Sequence, residues 1–453
     1  MSATTETARR ARAALVGVFA LNGAVLATWA SRIPAVKDSA DLSVAGLGLV
    51  LIAPAIGALV AFELAGRAAA RFGSARVTAL CAAAFAVLLP MVALGDAGAA
   101  TLFAALLVFG AGNGALDVVM NTHGVAVETA LGRPVLSGLH AAFSGGGLLG
   151  AAAGGAVAAA GVGVDAHFAV VSALALAVAL GVARLLPLAA VGEPVRPVAA
   201  EPAQPARRPR RGLRGALPLP VVLLGGVGFA CMLGEGAAAD WSATYLRESV
   251  GSGAGTAAAA YAGFSGAMLA GRLLGDRLRA RFDSERLLTA SAGVAAAGLL
   301  VAVLTGEAIG GVLGFTVFGA GLAVVVPIVF AASGQLSEDR SGLPPATALA
   351  RVNTLSYLGF LAGPPLVGLL ASATGLRAAL LLPAVLAAAV ALLAGAALRP
   401  RPSAEPLPGR TRARRPAGPQ LSFPSTTTDA GLPTVVAAGR REDAARAEGN
   451  DSP

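Results

Sequence analysis

Val108-Phe109-Gly110-Ala111-Gly112 recurs unchanged as Val317-Phe318-Gly319-Ala320-Gly321, 209 residues further along the chain. Other matches keep nearly the same offset. Arg71-Phe72-x-Ser74-x-Arg76 returns as Arg281-Phe282-x-Ser284-x-Arg286 at 210, and Gly146, Gly150 and Gly155 return as Gly359, Gly363 and Gly368 at 213. Gly23 and Trp29 have approximate counterparts in Gly236 and Trp241. One match in a chain so rich in Ala and Gly carries little weight. Four in the same order at one spacing mark two homologous halves. In an apolar chain, duplicated halves are a common way to build a central site between two rocking bundles.

The chain is apolar enough for that reading. It is 56% hydrophobic and 13% charged, against about 25% charged in ordinary soluble domains, and its mean hydropathy is +0.74. Crossing about 30 Å of hydrocarbon takes roughly 20 apolar residues. Twelve runs qualify: 13–31, 44–65, 77–95, 100–121, 138–160, 165–186, 218–239, 254–274, 287–305, 308–331, 346–371 and 376–398. The expected fold is an all-α integral membrane protein, twelve transmembrane helices in two six-helix pseudo-symmetric bundles. The expected division is a cytoplasmic N-terminus at 1–12, bundles at 13–186 and 218–398, a linker at 187–217 and a tail at 399–453. Linker and tail are rich in Pro and Arg without apolar periodicity, which reads as solvated chain, disordered in the tail.

A formal charge of +9 invites a nucleic-acid reading, but its distribution argues otherwise. Arginines gather at 9–12, at 67–76, at 207–214, at 272–286 and in the tail, all on one side of a twelve-span arrangement. The opposite loops hold little beyond Arg32, Lys37, Arg247 and Arg377. The positive-inside rule makes the first side cytoplasmic and both termini internal, and no nucleic-acid partner is expected. The first apolar run contains Asn22 and continues to Trp29 and Arg32 without a small-residue cleavage site, so it reads as an uncleaved span. Cys81 and Cys231 fall inside spans as small hydrophobes. His123, His140 and His167 lack metal-ligand spacing, and there is no P-loop. No metal, cofactor, enzymatic activity or ATP-driven pump is therefore expected. Lys37 is the only lysine, and the arginine and alanine content points to a GC-rich bacterial genome.

Two six-span halves with charged loops after spans two and eight resemble the major facilitator superfamily across 13–398. That family carries a Gly-x-x-x-Asp-Arg-x-Gly-Arg-like motif after span two. Here Gly66, Arg67, Arg71, Gly73 and Arg76 keep its glycine and basic positions without the Asp, while the copy at Gly271, Asp276 and Arg277 keeps the Asp-Arg pair. The resemblance implies a role in gating, away from the solute. Three finer stretches resemble the fucose-permease-like and MosC-like (rhizopine-associated) branch: Phe109 to Asn121, Leu139 to Gly147, and Trp29-Ala30-Ser31-Arg32-Ile33-Pro34. Span five lacks the proline of drug antiporters, which makes multidrug export less favoured.

An ionisable side chain at the centre of a span costs about 3 kcal/mol on insertion scales, so it faces a cavity or a partner. Gly110, Asn113, Asp117 and Asn121 share one helical stripe, and the copy of Asp117 is Val326. Symmetric packing therefore needs no carboxylate there. Asp117 reads as a proton-coupling or substrate group, with a structural hydrogen bond as the alternative. Glu235 lies between Gly234 and Gly236, which permit a helix break, while Asp240 and Trp241 follow at the expected periplasmic end, where Asp240 could be hydrated. Asn22 and Trp29 share a face; Asn22 reads as cavity lining, Trp29 as a cavity cap or an interfacial anchor. His140 matches Asn353 in register, with Tyr357 one turn beyond, a pattern for cavity lining, a gate or a structural histidine. His123 and Glu128 read as solvated loop residues after span four.

The expected function is secondary active transport of a small sugar-like or polyol-like solute by alternating access, with protons as the coupling ion in symport. The expected setting is the bacterial inner membrane, as a multi-pass monomer. One rival is a proton-antiport exporter of a metabolite or drug. Another is a non-transporting receptor or assembly factor acting through the linker and tail.

Overall fold

The computed structural model describes residues 3–133, 135–186, 217–336 and 343–398, and helix is the only regular structure among them. In lipid no water satisfies an open backbone, so each span closes its own hydrogen bonds. We number the long helices α1 (Glu6–Ser39), α2 (Val44–Phe72), α3 (Ser74–Ala93), α4 (Ala99–Leu131), α5 (Leu136–Ala159) and α6 (Val164–Leu185). The second half runs α7 (Leu219–Ser249), α8 (Ala254–Arg281), α9 (Ser284–Thr305), α10 (Ala308–Gly334), α11 (Thr347–Thr374) and α12 (Leu376–Leu398). Eleven of these described helices are long and apolar enough to cross a bilayer. The exception is α8, whose last ten residues carry Arg272, Arg277, Arg279 and Arg281. It nevertheless packs along α5 and α10 within the bundle. Leu64, Leu149, Leu174 and Leu392 point outward while Asn22, Arg32 and His123 are buried, the inverse of a water-soluble surface. Nearly all of the expected linker and the whole expected tail lie outside the described residues.

The repeated glycines are contact points between helix backbones. Gly146 on α5 lies against Ala20 of α1, where a Cβ would run into the Ala20 carbonyl oxygen. Its copy Gly359 on α11 lies in the same way against Phe229 of α7. Gly110 on α4 meets the carbonyl of Pro54 on α2, and Gly319 on α10 meets that of Phe264 on α8. Both members of each pair are therefore displaced by nearly the same offset, and the repeat in sequence is a repeat in packing. These contacts fix the α1-to-α7 offset at 209, so the approximate matches Gly23/Gly236 and Trp29/Trp241 are not equivalent positions. Gly23 sits on the Phe143 carbonyl, whereas Gly236 faces the Phe360 ring.

The halves meet along two seams, α5 against α8 and α2 against α11. A Cβ on Gly48 of α2 would stand 2.8 Å from Cα of Gly368 on α11. In the other seam a Cβ on Gly155 of α5 would stand 2.9 Å from Cβ of Ala258 on α8. By the repeat offsets these are one contact made twice. Lys37 Nζ, at the end of α1, pairs at 2.9 Å with Glu248 Oε1 at the end of α7. All three closures lie at the face opposite the one where α1 begins and α12 ends.

Helix ends depart from the sequence reading in three places. The first span runs on to Ser39, so Arg32 and Lys37 are helical and not loop residues, and Arg32 is buried, donating from Nη2 to the Val162 carbonyl oxygen at 2.8 Å. The fourth span runs on to Leu131, so His123 and Glu128 are helical and not solvated loop residues. His123 is buried with Nδ1 2.9 Å from Ser74 Oγ, and Glu128 Oε2 accepts from the backbone N–H of Val135 (2.7 Å) and Leu136 (3.1 Å), capping α5. The seventh span continues to Ser249 through a wide turn at Tyr245–Ser249, placing Asp240 and Trp241 inside it.

Gly146→Val and Gly359→Val are expected to destabilise the fold to similar extents, by about 1–3 kcal/mol each, because both push the same pair of backbones apart. Thermal unfolding of the detergent-purified variants reads this out. An unchanged midpoint in either would show that the two contacts are not equivalent.

Candidate functional site

Asp117 stands near the middle of α4. Asn121, one turn on, donates from Nδ2 to the Asp117 carbonyl oxygen at 2.9 Å and to Oδ1 at 3.1 Å. The other carboxylate oxygen, Oδ2, accepts from Tyr357 Oη of α11 at 3.3 Å. The bond joins the halves. The Tyr357 ring stands edge-on to Phe62 of α2, centroids 5.8 Å apart. Asn113 lies one turn before Asp117 with its Oδ1 buried and without a partner. Asn22 of α1 is buried, its Nδ2 3.9 Å from Met120 Sδ, and its Oδ1 also lacks a partner. Gly110, at the head of the expected stripe, packs against Pro54 of α2.

Glu235 stands at the middle of α7. Its Oε2 is 3.6 Å from Arg272 Nη2, and Cys231 Sγ is 3.8 Å from its Oε1. Arg272 Nη1 donates to Ser144 Oγ of α5 at 2.7 Å, a second polar bridge between the halves. The helix does not break at Gly234 or Gly236, since α-helix continues from Leu219 to Thr244. A Cβ on Gly234 would crowd the Phe318 ring, so that glycine admits a neighbour. Tyr357 lies within electrostatic reach of both Asp117 and Glu235, and Tyr261 of α8 within reach of Glu235, Asp240 and Arg272. The carboxylates thus face one shared region between the halves.

Arg272 was missed in the sequence, where it reads as one more topology arginine. The signal was its place inside the apolar run 254–274, ahead of Leu273 and Leu274. His140 stands one turn before Ser144 on α5, edge-on to Phe19 at 5.4 Å and within electrostatic reach of Arg272. Asn353 is half-buried one turn before Tyr357. Trp29 is 5% exposed and packed in the protein core, so it is no interfacial anchor. Trp241 is fully buried, and a Cβ on Gly368 would stand 3.3 Å from its ring, which puts it at the α2–α11 seam; its Nε1 lacks a partner. Asp240 is half-buried beside it.

The expected gating residues lie apart from this region. Arg67 Nε pairs with Glu63 Oε1 at 2.8 Å, so an acid one turn earlier stands beside the arginine where the motif lacks its Asp. Arg71 lies over the Phe72 ring at 5.4 Å. Gly73 reverses the chain between α2 and α3 with φ +89°, a conformation that favours glycine. In the copy that turn is closed by Asp283, whose Oδ1 accepts from Arg286 N at 2.9 Å. Gly66 has open space around it, Arg76 and Arg277 are exposed, and Gly271 lies against Ala323 of α10. The Asp276 side chain is outside the described set.

The Major Facilitator Superfamily profile matches residues 14–343. An uncharacterized transporter of Sinorhizobium fredii is 37% identical over 381 residues, 83% of this chain and 95% of that one. Membrane protein MosC of Rhizobium meliloti is 32% identical over 369 residues, 80% of this chain and 84% of that one. Among solved structures, a D-xylose-proton symporter matches with a TM-score of 0.65 at 15% identity, covering 86% of this chain and 97% of that one.

The Lys37–Glu248 pair is half sheltered, with side chains 12% and 31% exposed, and is worth about 1 kcal/mol to the closed face. Lys37→Gln is expected to raise the population open at that face roughly fivefold. The readout is maleimide labelling of Leu47→Cys, now buried in that closure, with the two native cysteines replaced. Labelling at the unsubstituted rate would remove the pair from gating.

Proposed function

The chain belongs to the Major Facilitator Superfamily and is a multi-pass membrane transporter of that family, and on that premise we propose that it moves a small hydroxylated solute, of the sugar or polyol kind, together with protons. The observation that carries this reading is the Tyr357 Oη bond to Asp117 Oδ2. A carboxylate on one half that is held by a hydroxyl on the other loses that partner when the halves rock apart. Its affinity for a proton therefore differs between conformations, which is what coupling requires. Glu235 is paired with Arg272 of its own half, and it is Arg272 that reaches across to Ser144 of the other.

The amides support the solute class. Buried oxygens without partners cost about 1–3 kcal/mol each, and Asn22 Oδ1 and Asn113 Oδ1 are two such acceptors. Solute hydroxyls are donors of the right chemistry for both. The fold accommodates this use, since the D-xylose-proton symporter is built on it. The arginine clusters support placing the terminal face in the cytoplasm of a bacterial inner membrane. The conformation described is then closed toward the periplasm by Gly48/Gly368, Gly155/Ala258 and Lys37–Glu248.

Asp117→Asn and Glu235→Gln keep the side-chain shapes and remove the titrating oxygens. Both are expected to retain solute counterflow in proteoliposomes while proton-driven accumulation falls to a ratio of about 1, that of an uncoupled carrier. Accumulation at the unsubstituted level in both variants would sink the coupling assignment.

A further inference from the structure

Arg272 of α8 and Ser144 of α5 occupy the same place in one seam as Phe62 of α2 and Tyr357 of α11 do in the other. The offsets are 210 and 213, those of the repeat. One seam holds a guanidinium on a serine hydroxyl; the other holds a benzene ring on a tyrosine. Packing at this position is therefore satisfied without a charge, as it is at Phe62. Glu235 likewise has Leu26 as its copy at offset 209. An arginine and a glutamate have been placed together, in one half only, at positions the scaffold fills with apolar side chains.

Their contact is loose. One nitrogen lies 3.6 Å from one oxygen, beyond the 2.7–2.9 Å of a strong charge-assisted bond and without the two-pronged geometry of a tight arginine–carboxylate pair. The short contact of Arg272 is to Ser144, a neutral hydroxyl. Both charged side chains are about one-fifth exposed, at the junction of α5, α7 and α8.

We propose that Arg272 is the solute's anion-binding residue and that the transported solute is a hydroxylated monocarboxylate, a sugar acid, whose carboxylate replaces Glu235 on the guanidinium. This presupposes the proton-coupled transport put forward above. The exchange sets the proton count. Before binding, Arg272 and Glu235 sum to zero. A solute carboxylate adds one negative charge, and the half-buried site stays neutral when Glu235, released from Arg272, takes one proton from the open side. Arg272 then holds the solute, Glu235 carries the proton, and both leave together on the other side. One anion and one proton cross, with no net charge moved. The titratable groups facing this pair are Tyr261 on α8, His140 on α5, Cys231 on α7 and Tyr357 on α11, with Asp117 of α4 behind Tyr357 and Asp240 of α7 behind Tyr261. The hydroxyls of the solute fall to Asn22 and Asn113, whose buried oxygens have no partner, and the single proton passes between Glu235 and Asp117, so that neutralising either carboxylate uncouples transport.

The experiment is proton uptake by the full chain in proteoliposomes with three aldonates and uronates (D-gluconate, D-glucuronate, D-galacturonate), a neutral sugar and a neutral polyol (D-xylose, myo-inositol) and butyrate, at several imposed membrane potentials. The proposal expects proton uptake with at least one sugar acid, none with butyrate beyond that of protein-free liposomes, and no dependence on potential. Arg272→Gln is expected to raise the half-saturating concentration of that acid roughly 10- to 100-fold, the loss of a charge-assisted hydrogen bond pair. Arg272→Lys is expected to recover part of that loss, which a merely structural arginine would not show. Proton uptake with a neutral polyol and with no sugar acid would overturn the proposal and leave proton-coupled transport standing. Silence with every solute would overturn both. Because the unsubstituted protein decides between these outcomes, the test survives a failure of Arg272→Gln to fold.

Discussion

Between helices in a bilayer there is little hydrophobic driving force, because lipid chains are as apolar as leucine. What holds such helices together is close van der Waals contact, and that requires backbone to approach backbone. In this chain the approach is made by glycine at equivalent points in both halves: Gly146 on Ala20 and Gly359 on Phe229, Gly110 on Pro54 and Gly319 on Phe264. These contacts fix which helices are neighbours and in what register. They also explain why the most faithful sequence repeat, Val-Phe-Gly-Ala-Gly, lies where α4 meets α2 and α10 meets α8. The register is set by small residues, so the large ones are free to differ between the halves.

They differ where it counts. Asp117 is copied as Val326, Glu235 as Leu26 and Arg272 as Phe62. The scaffold is symmetric and its polar equipment is not. A buried charge is tolerated only with a partner, and here the polar bridges between the halves, Tyr357 to Asp117 and Arg272 to Ser144, run from one half to the other. Such bonds change whenever the halves move, unlike bonds within a half.

The two seams also divide their labour along the membrane normal. At the face opposite the chain termini they close on glycine and alanine, through Gly48 with Gly368 and Gly155 with Ala258. Deeper in, the same seams carry side chains able to make and break polar contacts. The small residues let the helices come together closely at that face, and the polar side chains lie further along the same seams. The Lys37–Glu248 pair sits at the outer edge of the closure, joining α1 to α7.

Much of this was legible in the chain itself. Composition and run length settle a helical membrane protein, because hydrocarbon thickness sets span length and leaves the backbone no partner but itself. The repeat settles two related halves, and the stripe on α4 with its apolar copy singles out Asp117. What the sequence could not supply was distance between elements far apart in it. Tyr357 lies 240 residues from Asp117, and Arg272 lies 128 from Ser144; nothing local in either segment records the other. Arg272 shows the limit most clearly, since in sequence it is one of several arginines near a span end, and only its neighbours on α5 and α7 separate it from them. His123 and Glu128 failed for a related reason: run length marks where hydrocarbon ends, whereas a helix ends where its last carbonyls find a cap, at Gly132. Periodicity and composition report what a segment does alone in lipid. Which charged groups share a space is decided by how the two halves pack.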